Sequence, residues 1–104
     1  MSKFDNVTVT KSANVYFDGA VVSHAVQFAD GTTKTLGIMQ VGDYEFSTGA
    51  AEIMEMLRGP VEVQLAGSAN WTIIQAGESF DVPANSSFKV KVPQVTDYCC
   101  SYIS

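Results

Sequence analysis

Turn residues recur along this chain at near-even intervals, and the runs between them are long enough only for short strands. Asp18-Gly19, Asp30-Gly31, Gly42, Gly59-Pro60, Gly77 and Pro83 break it into about ten segments, each closed by residues that favour turns. Within the segments, apolar and polar residues alternate. Val61, Val63 and Leu65 stand against Glu62 and Gln64, while Phe88, Val90 and Val92 stand against Lys89 and Lys91. Tyr44, Phe46 and Thr48 likewise oppose Glu45 and Ser47. Successive side chains of a strand point to opposite faces, so each run is built to bury one face and wet the other. Many short half-buried strands make a sandwich or barrel, and the expected class is all-β.

Asp18-Gly19 supplies the positive φ angles of a two-residue turn, predicting a hairpin between strands over 13–17 and 20–28. Asp30-Gly31 repeats the signal before a strand over 32–39. The run Glu52 to Arg58 is ambiguous, because Glu, Met and Leu all favour helix. It is short and stops at Gly59-Pro60, so a strand is expected, with Glu52, Met54, Met56 and Arg58 on one face. Residues 1–12 alternate weakly, as an edge strand or an arm lying on a partner subunit would. The 104 residues leave room for one domain, 1–104, since a division would leave pieces too small to bury a core.

Eleven acidic residues against six basic ones give a net charge of -5, and the lysines form no run. Such a surface repels nucleic acid and anionic membrane, so neither is an expected partner. No apolar run approaches the roughly 20 residues of a membrane span, and Met1 to Asn6 lacks the apolar segment of a signal peptide; a cytoplasmic protein is expected. Cys99 and Cys100 are neighbours that would point to opposite faces of a strand, where a disulfide between them would be badly strained. Both are expected reduced, with one packed in the core.

Between Gly42 and Phe88 lie two glycine-anchored strand segments, the second running Gly77-Glu78-Ser79-Phe80-Asp81-Val82-Pro83. A glycine, five residues and a proline, with another glycine-bounded strand upstream, resembles the two motifs of the cupin superfamily. The resemblance implies a single-domain cupin, a double-stranded β-helix or jelly-roll barrel. Metal-binding cupins carry two histidines and a glutamate in the first motif and a further histidine after the proline of the second. Here Glu52 lies seven positions before Gly59, where the glutamate belongs. Phe46 and Thr48, or Glu45 and Ser47 if the spacing is one longer, stand at the first histidine positions, and Phe88 at the last. A lone carboxylate cannot hold a transition metal, which needs three or more converging ligands, so no metal is expected. The single histidine, His24, falls on an early strand outside both motifs and reads as an ordinary surface or half-buried residue.

The segments Lys34 to Met39, Gly42 to Thr48, Glu52 to Met54, Phe80 to Phe88 and Asp97 to Tyr102 resemble, in order and spacing, the pyrimidine/purine nucleoside phosphorylase family, small single-domain cupins. The match covers roughly residues 13 to 103. It implies a homodimeric enzyme without metal or cofactor. Inorganic phosphate would be co-substrate in cleaving purine and pyrimidine nucleosides to free base and ribose 1-phosphate.

That reaction needs an anion cradle, a group beside the cationic sugar and a grip on the base. Glu52 is the catalytic candidate, since a carboxylate can bond ribose hydroxyls or face an oxocarbenium-like centre. Lys34, Thr35, Thr48 and Ser86 are the candidate phosphate donors, because hydroxyls, amides and one cation can hold an anion without a glycine-rich loop. Tyr44, Phe46 and Phe88 are candidates for stacking on the base, since every nucleobase has a π face. Each has an ordinary alternative as a strand, turn or core residue, and Met54 and Met56 read as packing. Trp71 and the Tyr98-Cys100-Tyr102 stripe are assigned to core or dimer packing. The rival function is a non-catalytic, metal-free cupin that binds a nucleoside or sugar as sensor or carrier.

Overall fold

A computed structural model describes residues 3–103; residues 1 and 2 of the expected arm, and residue 104, lie outside them. The strands are β1 (Thr8–Val9), β2 (Asn14–Tyr16), β3 (Val21–Gln27), β4 (Thr33–Met39), β5 (Gly42–Ser47) and β6 (Ala51–Met56). They continue as β7 (Val61–Leu65), β8 (Thr72–Ile74), β9 (Ser79–Val82), β10 (Ser87–Val92) and β11 (Thr96–Ile103). One sheet has the order β1-β3-β4-β11-β6-β9, with β2 also paired to β3; the other runs β5-β10-β7-β8. All pairings are antiparallel. The chain changes sheet after β4, β5, β6, β8, β9 and β10, which folds the two sheets over one another as a jelly-roll barrel.

The alternation in the sequence decides which faces meet. Val61 and Val63, Val90 and Val92, and Met54 and Met56 all enter the common core, while Glu62, Lys89, Lys91 and Glu55 face water. The ambiguous run is a strand, β6, although its residues favour helix. Met54 pairs with Cys100 of β11 on one side and with Phe80 of β9 on the other. Two filled hydrogen-bond ladders outweigh a helical preference of a few tenths of a kcal/mol per residue.

The hairpin at Asp18 differs from expectation. Strands β2 and β3 do pair, from Tyr16↔Val21 onward, but the link is longer than a two-residue turn. Phe17, Asp18 and Gly19 all adopt positive φ, at 52, 55 and 94°, and the Ala20 amide donates to the Phe17 carbonyl at 3.1 Å. The longer link lets the Phe17 ring lie against Tyr44 and Phe46, at centroid distances of 5.0 and 5.4 Å. Aromatic contact of this kind contributes roughly 0.5–1.5 kcal/mol per pair. Of the two places expected for Trp71, core or dimer packing, it does not take the first. It precedes β8, half-buried, with the Lys91 ammonium 4.2 Å from its ring.

The amino-terminal segment pairs with the edge of β3 through Thr8↔Gln27 and Val9↔Val26. Phe4, Val7 and Val9 border, with Val26, Leu36, Leu57 and Cys99, an apolar hollow of about 600 Å³ on the outside of the larger sheet. That arm accounts for the burial of Val26 and Cys99, which lie on the face turned away from the core.

One close approach ties the larger sheet to its interior. Tyr98 of β11 pairs with Gly37 of β4, and its ring lies across that glycine. A Cβ at position 37 would stand 2.5 Å from the ring. Gly37→Ala is therefore expected to cost about 1–3 kcal/mol of stability through overpacking. Gly49→Ala, where a Cβ meets open space, should stay within about 0.5 kcal/mol of the parent. Urea unfolding of the two variants checks both values.

Candidate active site

Between the sheets lies a cavity of about 120 Å³ with two unlike walls. The smaller sheet contributes phenyl rings. Phe46 of β5 pairs with Phe88 of β10, and their rings stack with centroids 5.4 Å apart at an interplanar angle of 28°. Phe80 of β9 meets Phe88 edge-on at 5.5 Å. The larger sheet contributes polar groups in successive rows. Tyr102 pairs with Glu52, Cys100 with both Met54 and Thr35, and Ser23 with Gly37, over which Tyr98 lies. Apart from Phe80, which packs behind Phe88, and Gly37, these residues line the cavity with Tyr16. An apolar wall facing a hydroxyl-rich one suits a ligand that is flat at one end and polar at the other.

Phe46, Glu52, Phe88 and Thr35 are thus brought to one hollow. Tyr44 is not. It is buried beneath Phe46, with its hydroxyl donating to the Gln40 carbonyl at 2.8 Å. Thr48 and Ser86 hold the two crossovers together instead. The Thr48 hydroxyl donates to the Pro83 carbonyl at 2.7 Å and accepts from the Ser86 amide at 2.9 Å. The Thr48 amide donates to the Ser86 carbonyl, also at 2.9 Å. Lys34 lies on the outer face, its ammonium 5.6 and 5.7 Å from the Phe4 and Phe28 rings. The Tyr98-Cys100-Tyr102 stripe, assigned above to core or dimer packing, puts Tyr98 and Cys100 in the core, and all three also form the floor of the cavity. Its period-two spacing was visible, but nothing in the sequence says which stretch of a buried face borders a void.

Burial sets the electrostatics. The Glu52 carboxyl lies above the ordinary carboxylate range because burial penalises its charge, and contact with the Cys100 thiol offsets part of that rise. The Cys100 thiol is pushed up to about 12, first by burial and then by the Glu52 charge. Burial also raises the Tyr98 and Tyr102 phenols, opposed by the neighbouring Ser23 and Thr35 hydroxyls respectively. At neutral pH both phenols and the thiol therefore keep their protons. His24 sits outside, its Nδ1 3.1 Å from the Thr10 carbonyl oxygen. Among the described residues no three metal-ligating side chains gather. The donor set of this cavity, one carboxylate and several hydroxyls, does not fit a transition metal.

The fold and the cavity define a cupin barrel whose cavity is lined by aromatic, hydroxyl and carboxylate side chains. A cupin described as RmlC-like from Shewanella frigidimarina shares the fold, with a TM-score of 0.69 at 14% identity over 97% of this chain and 86% of that one. The model of one family, pyrimidine/purine nucleoside phosphorylase, matches residues 11–102. The chain belongs to that family. It is 64% identical over 103 residues to a pyrimidine/purine nucleoside phosphorylase of Chlorobium chlorochromatii, covering 99% of each chain. It is 62% identical to that of Trichlorobacter lovleyi over the whole of both. A crystal structure from Acinetobacter sp. ADP1, of a protein described as of unknown function, matches with a TM-score of 0.95 and 45% identity over 97% of this chain and 98% of that one.

The raised Glu52 carboxyl has a consequence for stability. Its folded-state value exceeds its unfolded one, so the folded chain binds the proton more tightly. Stability from this group is complete below the unfolded value and is lost as pH rises through the folded one. Glu52→Gln should consequently melt higher than the parent at pH 7, with the gap closing as pH falls toward the ordinary glutamate value of 4.5 and gone below it. Melting curves across that range test the sign.

Proposed function

We propose that this protein is a nucleoside phosphorylase of broad specificity, cleaving purine and pyrimidine nucleosides with phosphate to free base and ribose 1-phosphate. The observation that carries the reading is the meeting of Phe46, Glu52 and Phe88 in one cavity, in a chain of this family. Phosphorolysis breaks the bond between C1′ of the ribose and the base nitrogen, whose electron pair leaves with the base. An oxygen of dihydrogen phosphate forms the new bond to C1′, and the phosphate proton ends on the base. Glu52 acts beside the sugar, where a carboxylate accepts hydrogen bonds from ribose hydroxyls and opposes the positive charge developing at C1′. Phe46 and Phe88 offer a π surface that every nucleobase can use, which suits broad specificity. The cavity is smaller than the roughly 300–1,000 Å³ of a typical ligand pocket. The sugar therefore sits inside and the base lies toward the mouth, against the rings.

No step in this scheme calls for a metal or cofactor, and the reaction belongs in the cytoplasm, where Cys99 and Cys100 stay reduced. No helix among the described residues is long and apolar enough to cross a membrane. The working form is a homodimer. Leu36, Ile38 and Leu57 remain exposed on the outside of the larger sheet, and a second copy is the natural cover for such an apolar face.

Incubation of the purified protein with uridine or inosine should release base and ribose 1-phosphate only when phosphate is present. Glu52→Gln should lower kcat by about 100-fold or more while the chain stays folded. Tight nucleoside binding without phosphate-dependent product would establish the sensor or carrier instead. Sedimentation should give twice the mass of one chain, and a monomer at micromolar concentration would remove the dimer.

A further inference from the structure

Resting on the phosphorolysis reading, we infer that phosphate is held here without a cation, in a cradle of hydroxyl protons from Ser23, Thr35 and Tyr98 spread across Gly37. The cavity is lined by one carboxylate and by hydroxyls, a thiol and apolar groups, with no lysine, arginine or histidine among the described residues that line it. An oxyanion entering this space must be met by neutral donors.

The hydroxyls are prepared for that task. Ser23 is 2 % exposed, and its oxygen accepts a hydrogen bond from the Asn14 side-chain amide at 3.2 Å. With that lone pair engaged from outside, the Ser23 proton is free to point inward. Tyr98 is 6 % exposed, and its hydroxyl oxygen would come within 2.6 Å of a Cβ at position 37. Only glycine there lets the phenol reach across β4 toward Ser23. The Tyr98 phenol lies against the Ser23 hydroxyl; of the two protons the pair carries, one bridges the two oxygens and the other is left for a ligand. Thr35 borders the same space from the neighbouring row of β4 and is itself nearly buried.

Position assigns the two ends of the substrate pair. Glu52 stands on β6, three strand spacings from Ser23 on β3, or about 14 Å between backbones. Ribose hydroxyls can donate to a carboxylate, whereas phosphate oxygens are repelled by one and need donors. The sugar thus belongs at the Glu52 end and the oxyanion at the hydroxyl end. Fixed neutral dipoles in a desolvated site can stabilise an anion without a counter-charge.

Steady-state kinetics with uridine and phosphate varied independently tests the cradle in Tyr98→Phe, which keeps the ring and removes only the hydroxyl. A hydrogen bond to a charged group is lost, so the KM for phosphate should rise about 10- to 100-fold. The KM for uridine should stay within about twofold. Phosphorus-31 line broadening of inorganic phosphate by the protein alone should weaken in parallel. Should Tyr98→Phe fail to fold, Ser23→Ala carries the same expected split. A rise in the uridine KM alone, or equal rises for both substrates, would assign the hydroxyls to the sugar or to structure and overturn the inference. An unchanged phosphate KM in a phosphate-dependent enzyme would sink the cradle alone. A parent protein that shows no phosphate-dependent cleavage, and no phosphorus-31 broadening, would remove both the cradle and the phosphorylase reading.

Discussion

One threonine hydroxyl governs how the two sheets are joined. Thr48 lies where the chain leaves β5 for β6, and Pro83 to Ser86 is where it leaves β9 for β10. By donating to the Pro83 carbonyl and accepting from the Ser86 amide, Thr48 locks these crossovers side by side. The Asn85 amide adds a bond to the Gly49 carbonyl at 3.0 Å. Phe46 lies two residues before the clasp, Glu52 four after it, and Phe88 two beyond Ser86. Each reaches the cavity because its strand starts or ends at a fixed corner. Five backbone and hydroxyl groups that would otherwise be stranded at a barrel corner are satisfied by these three bonds, each bond worth about 1 kcal/mol net and its groups costing more if left unpaired.

That arrangement explains which parts of the molecule could be read from the residues alone. The all-β class followed from period-two alternation, and even β6 could be placed on its length and its Gly59-Pro60 stop. The convergence of Phe46, Glu52 and Phe88 could be located from motif spacing, because a barrel strand fixes inward positions once its register is known. Lys34, Thr48 and Ser86 show where such reading ends. A hydroxyl or ammonium in the sequence declares a donor but not its partner. The partner of Thr48 is 35 positions away at Pro83, and Lys34 sits on the outer face of β4 beside Phe4 and Phe28, while its neighbour Thr35 faces in. Tyr98 shows the converse. Its role depends on the absence of a side chain at Gly37, a pairing that only the β4–β11 register discloses.

The division of labour between the sheets has a physical logic. The smaller sheet meets the larger one through rings, and the Phe17, Tyr44, Phe46, Phe88 and Phe80 contacts form one continuous aromatic spine. An aromatic wall tolerates being half-desolvated whether or not a ligand is present. The larger sheet carries the groups that would be costly to bury unpaired, and it supports them from behind. Asn14 backs Ser23, Ser23 faces Tyr98, Thr35 faces Tyr102, and Cys100 lies against Glu52. A polar row of this kind is stable only if it stays hydrogen-bonded or touches solvent through the cavity.

This also accounts for how a barrel of this fold keeps an open cavity between its sheets with no metal-ligating cluster among the described residues. A metal site concentrates charge, and its histidines need space as well as ligand geometry. Phe46 and Phe88 bring apolar volume instead and form a stacked pair that belongs to the core and to the cavity wall at once. The remaining carboxylate, Glu52, is then the only formal charge lining the cavity among the described residues, and burial raises its proton affinity. A lone, partly desolvated carboxylate is strained by its own charge and gains most when a cationic centre appears beside it. An oxocarbenium-like sugar supplies that charge only as the glycosidic bond breaks. Under the phosphorolysis proposed above, the group is thus least comfortable in the empty cavity and best matched in the transition state, which is the condition for differential binding to lower a barrier.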